Sequence, residues 1–133
     1  MQAIKARVTN ALNQGAWVDV CDNSGAKIIK IVSVINKKTS KGRPQAAGVG
    51  DLVLGAVKSG DPSMRKQVVY AIIVRQKKEY RRPDGTRIKF ESNAAVVSKD
   101  EKGNPKGTIF KGPIAKEACD RWPAIAKVAR IIV

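Results

Sequence analysis

The 133-residue chain contains no histidine, two cysteines, two tryptophans, two tyrosines and two phenylalanines. Without histidine it lacks the commonest general base and the usual activator of a catalytic cysteine or serine. It also lacks the usual nitrogen ligand of zinc. Cys21 and Cys119 stand alone without CxxC spacing, so no metal centre is expected. Both read as buried, reduced thiols acting as small hydrophobes. Aromatics make up 5% of the chain, too few for the stacking platform of a single-strand binder. Trp17, Trp122, Tyr70 and Phe110 sit where a core could use them, which leaves Tyr80 and Phe90 as candidate stackers. No apolar run approaches the roughly 20 residues that cross a bilayer. The opening MQAIKARVTNALNQGAW has neither the apolar core nor the cleavage site of a signal peptide. A cytoplasmic protein with no membrane partner is the expectation. Acids are scarce as well, 11 Asp plus Glu against 26 Lys plus Arg, and they are scattered. GVGD at 48–51 lacks the GK[ST] ending of a phosphate loop and leads into a strand, so Asp51 reads as a turn cap. The chain is expected to be neither an enzyme nor a cofactor binder.

What remains is a folded, strongly basic protein. Hydrophobic residues make up 43% and charged residues 28%, a globular composition, yet the formal net charge is +15. Such a charge opposes compaction by self-repulsion unless an anionic partner accompanies it, and nucleic acid is the leading class. Five β-prone runs are separated by turn signals: AWVDVC (16–21), KIIKIVSVI (27–35), GDLVLGAVK (50–58), VVYAIIVRQ (68–76) and AAVVS (94–98). They predict a mainly β fold, a small closed barrel or sandwich over about 16–110. The 27–35 run is apolar at too many positions for a one-sided strand, which predicts a covered outer face. An Ala-rich helical segment follows over about 112–133, with Pro113 and Pro123 where helices could begin and Trp122 ending the first. Ile125, Val128, Ala129 and Ile132 recur at helical spacing, a face expected to pack on the barrel. With no internal repeat or linker, residues 1–133 are expected to form one domain.

The charge is concentrated in places. KKEYRRPDGTRIKF (77–90) puts six basic residues around a turn carrying two acids. Pro83 and Gly85 suit a type I turn with a bulge, which pairs Arg82 with Thr86, Arg81 with Arg87 and Tyr80 with Ile88. Continued downward, that register pairs Glu79–Lys89, Lys78–Phe90 and Lys77–Glu91, giving two opposite-charge pairs. Like charges then crowd the tip. A solvated turn with splayed arginines is the plain reading, but neighbouring cations favour a polyanion site, because guanidinium holds phosphate oxygens bidentately. The candidate RNA-binding residues are Lys37, Lys38, Lys41 and Arg43 in the 36–50 loop and Arg65 and Lys66 in the 59–67 turn. Arg75, Lys77, Lys78, Arg81, Arg82, Arg87 and Lys89 complete the set on and below the hairpin. Backbone recognition of a structured RNA fits them better than base reading. Two other readings fit the composition. One is a free RNA chaperone. The other is a protein-docking module that uses the C-terminal helix or VVYAIIV.

The stretch AIIVRQKKEYRRPDGTRIKFESNAAVV (71–97) resembles the signature of the universal large-subunit ribosomal protein family numbered fourteen. The matching positions are Ala71, Ile72, Ile73, Val74, Asp84, Gly85, Phe90, Asn93, Val96 and Val97. DVCDNSGAK (19–27), AGVGDLV (47–53) and GPIAKEA (112–118) resemble the family's other blocks, so the likeness spans roughly 17–130. MQAIKARVTNALNQG, RKQVVYAIIVRQKK and RWPAI are similar to its archaeal and eukaryotic branch. The resemblance implies a five-stranded closed barrel with a projecting β-hairpin ribbon and short C-terminal helices. It also implies a structural constituent of the large ribosomal subunit, bound to large-subunit ribosomal RNA and bridging to small-subunit ribosomal RNA. The implied protein partners are neighbouring large-subunit ribosomal proteins and the anti-association factor six, at a cytoplasmic location in the ribosome.

Overall fold

The computed structural model describes residues 8–35 and 39–133. In chain order the elements are β1 (Leu12–Asn13), β2 (Trp17–Val20), β3 (Ala26–Val34), β4 (Ala46–Ala47), β5 (Leu52–Gly60) and β6 (Val68–Arg75). There follow β7 (Tyr80–Arg81), β8 (Arg87–Ile88), β9 (Ala94–Ser98), β10 (Pro113–Ile114), α1 (Lys116–Arg121), α2 (Pro123–Val128) and β11 (Ile131–Ile132).

β2, β3, β5, β6 and β9 close into a barrel. Neighbours run antiparallel except where β9 returns parallel to β2, with Asp19 opposite Ala94 and Val20 opposite Ala95. Closure leaves no open edge among these strands. Pleating sends alternate side chains inward, so Val18, Ile29, Ile31, Val53, Val57, Ala71, Ile73, Ala95 and Val97 fill the interior. Burying each of the larger aliphatics contributes about 1.5–3 kcal/mol. Leu12 and Met64, both buried with this group, come from segments at opposite ends of the barrel.

A second core lies outside the barrel wall. Leu52, Ile72, Val74, Ala94 and Val96 point outward and are covered by Ile114, Ala118, Cys119, Trp122 and Ile125. The strands covered on both faces are therefore β6 and β9, not the predicted 27–35 run, where Val32 is exposed and Ile28 half-buried. The helices lie against β6 and β9, and three register shifts along the β3–β5 pairing disturb the alternation of β3. The surfaces assigned to a docking module, VVYAIIV and the C-terminal helix, are largely consumed by this packing.

Pro123 opens α2 as expected, and Trp122 separates the helices with its indole Nε1 donating to the Gly50 carbonyl at 2.8 Å. Pro113, by contrast, lies in β10, and α1 begins at Lys116. Ile132 is not on the helix either. The backbone turns extended at Ala129, and β11 pairs parallel with β10, Ile114 opposite Ile132. Cys21 and Cys119 are buried free thiols. Burial pushes both thiols up to about 11, with nearby Arg75 pulling Cys21 partly back.

Candidate nucleic-acid interface

The hairpin tip has the register that its turn residues dictate. Tyr80 faces Ile88 and Arg81 faces Arg87. The Arg82 N–H donates to the Thr86 carbonyl at 2.8 Å and the Gly85 N–H to the Arg82 carbonyl at 2.9 Å. Gly85 has φ +94°, a left-handed conformation that favours glycine. Below Tyr80 the ladder stops, so Glu79–Lys89, Lys78–Phe90 and Lys77–Glu91 are not strand pairs. Instead the Phe90 N–H donates to the Gln76 carbonyl, and the Lys77 N–H donates to Asn93 Oδ1 at 2.8 Å.

Gln76 explains the break. It is 0% exposed, and its Oε1 accepts from the Val49 N–H while its Nε2 donates to the carbonyls of Thr9 and Lys78. One amide thus joins the N-terminal segment, the 48–51 turn and the ribbon base. A single glutamine ending an apolar run carries no local signal of that role. In the same turn Asp51 Oδ2 accepts from the Gly48 N–H at 2.8 Å, the capping role expected of it.

The ribbon is held from a second side. Glu117 on α1 accepts from the Tyr80 hydroxyl at 2.6 Å and from Arg82 Nε and Nη2 at 3.1–3.2 Å. Arg82 Nη2 also donates to the Val133 carbonyl at 2.6 Å. Burial and then the bond to Glu117 push the Tyr80 hydroxyl far above its usual range. Burial works against the Arg82 charge, but the Glu117 carboxylate outweighs it and the pKa is raised. Tyr80 is 1% exposed, so it cannot offer a stacking face, and Phe90 packs against the outer core.

The thirteen candidate cations fall into distinct places. Lys37 and Lys38 lie outside the described residues. Lys41 and Arg43 are exposed on the loop leaving β3, at the barrel end from which the ribbon also projects. Lys77, Lys78, Arg81, Arg87 and Lys89 are exposed on the ribbon, where Arg87 Nη1 meets Glu79 Oε1 at 3.3 Å. Arg82 is half-buried in its Glu117 pair. Arg75 is half-buried against Gly112, where a methyl group would collide with its Nη1. Arg65 and Lys66 sit in the β5–β6 turn at the opposite end of the barrel, with Arg65 Nε donating to the Gly60 carbonyl. The candidate set omits Lys106, whose Nζ lies 3.2 Å from Met64 Sδ and extends this second cluster, and also Lys99 and Lys102 nearby in the chain. The run KDEKGNPKG at 99–107 holds that signal. Among the described residues no group of three His, Cys, Asp or Glu could hold a metal ion, and no helix is long and apolar enough to cross a membrane.

The arrangement is thus a rigid barrel with cationic projections at both ends, one of them anchored by an internal ion pair. The sequence profile described as Ribosomal protein L14p/L23e matches residues 11–133. Over the full length of both chains, the sequence is 53% identical to the large ribosomal subunit protein uL14 of Nanoarchaeum equitans. It is 48% identical, again over both full lengths, to the protein of the same name from Methanothrix thermoacetophila. Two archaeal relatives of this closeness fit the archaeal and eukaryotic branch. The chain belongs to the L14p/L23e family of ribosomal proteins.

Proposed function

We propose that the chain is a structural constituent of the large ribosomal subunit that binds large-subunit ribosomal RNA through its basic projections. The observation that carries this reading is the ribbon: Arg81 and Arg87 stand exposed and opposite each other on a hairpin fixed at its base by Gln76 and at its flank by Glu117. Fixing the arm before binding reduces the ordering entropy lost when phosphates engage it. Arg81 and Arg87, with Lys77, Lys78 and Lys89, neutralise phosphates, while Arg82 positions the arm. Lys41 and Arg43 add to that end of the barrel, and Arg65 and Lys66 bind RNA at the other. The resemblance of residues 71–97 to the family signature supports a further role in an intersubunit bridge to small-subunit RNA during translation. Membership of the family likewise supports docking of neighbouring large-subunit proteins and the anti-association factor. The chain acts as one domain, in cytoplasmic ribosomes.

The test is binding of purified protein to large-subunit ribosomal RNA across a salt series, with the double variant Arg81→Ala/Arg87→Ala as comparison. Log affinity should fall linearly with log salt, and the variant's slope should be shallower by about 2, one for each phosphate left without its arginine. Equal slopes would remove the ribbon arginines from the interface.

A further inference from the structure

Trp17 stands where a core could use it in the sequence, yet it is 61% exposed. It lies opposite Lys30 on β3, Lys30 lies opposite Ala56 on β5, and Ala56 lies opposite Val68 on β6. Opposed residues share a face, so these four form one row across the outside of the barrel, remote from the helices. Val68 at its far end is also 61% exposed. The indole is carried on a residue paired with β3, two positions before the strand also pairs with β9 at Asp19. Among the described residues the Lys30 ammonium makes no ion pair or hydrogen bond. Lys58, exposed two residues beyond Ala56, adds a second cation to the same face, against the single acid Asp19.

We propose that Trp17 and Lys30 form a stacking site for one unpaired nucleotide of the bound RNA, the base lying on the indole and its phosphate meeting the ammonium. Two features favour RNA over a protein surface here. A cation directly beside an exposed aromatic matches the paired base and phosphate of a nucleotide. Lysine is depleted in the cores of protein–protein interfaces, yet Lys30 stands in the middle of this row. The inference rests on the RNA-binding reading above but uses a different face of the barrel.

The two tryptophans make the test direct, because Trp122 is 1% exposed and out of reach of an aqueous quencher. Iodide quenching of the free protein therefore reports Trp17. Adding deproteinised large-subunit ribosomal RNA should shield that indole, and Trp17→Ala should weaken RNA affinity about tenfold while Trp17→Phe keeps most of it. Lys30→Ala should reduce the salt slope by about one. If the RNA binds with full affinity to Trp17→Ala and leaves the wild-type indole open to iodide, the stacking site is overturned and the ribbon reading stands. If the indole is shielded only when neighbouring subunit proteins are added, the face docks protein and the proposal fails. If wild-type protein does not bind the RNA at all, both readings fail together.

Discussion

Glu117→Gln tests how the ribbon is held. The carboxylate accepts from the Tyr80 hydroxyl at 2.6 Å and from Arg82 at 3.1–3.2 Å, with side-chain exposures of 18% for Arg82 and 11% for Glu117. Removing one partner of a buried ion pair costs about 3–5 kcal/mol, and pairs open to water are worth about 0–1 kcal/mol. The Arg82–Glu117 pair is mostly enclosed, but freed Arg82 can turn toward solvent and the amide still accepts from Tyr80. The expected loss is therefore roughly 2–3 kcal/mol, or a fall in Tm of about 6–12 °C for a chain of this size. Glu79→Gln breaks the Arg87 pair, whose side chains are 62% and 47% exposed, and should cost less than about 0.5 kcal/mol. Denaturant unfolding measures both, and trypsin adds a local readout, because Arg81 and Arg87 lie on the arm that Glu117 secures. Glu117→Gln should speed cleavage there well before global unfolding, and Glu79→Gln should not. Equal stabilities and equal tryptic rates in the two variants would refute the argument that Glu117 anchors the ribbon.

Gln76→Leu should cost about 1–3 kcal/mol in denaturant unfolding, since it strands the buried Val49 N–H and removes the donor to the part-buried Thr9 carbonyl; a near-neutral result would mean that the Val49 N–H finds another partner. The buried thiols set an alkaline limit. Because Cys21 and Cys119 are raised from the ordinary 9.0 to about 11 in the fold, their contribution is fully present below pH 9 and is lost as pH rises through 11. Thiol reagents at pH 8 should therefore react slowly with native protein and quickly with unfolded protein. Rapid native labelling would contradict their burial.

Local chemistry was legible in the sequence and long-range packing was less so. Pro83 and Gly85 specify the ribbon turn within a few residues, and the Tyr80–Ile88 and Arg81–Arg87 pairs follow. The lower register failed because Gln76 bonds across the molecule to Val49 and Thr9, a competition no neighbouring residue announces. Helical spacing continued past Val128 in the sequence, but the pairing of Ile132 with Ile114 pulled the chain into a strand. Strand alternation put Trp17 and Asp19 on one face. A carboxylate favours water, so Asp19 carried a signal that Trp17 on the same face is exposed, as both are. Of the candidate interface, charge density was visible throughout. Which cations are free and which are used internally, as Arg82 is by Glu117, depended on a helix 35 residues away in the chain.

The central claim is that a stiff β-scaffold presents cations to folded RNA. An electron cryomicroscopy map of the assembled large subunit tests it most directly, at side-chain resolution around residues 77–90. The account predicts the guanidinium groups of Arg81 and Arg87 within hydrogen-bond reach of phosphate oxygens, with Arg82 still on Glu117. Finding Arg81 and Arg87 turned away from every phosphate would contradict it.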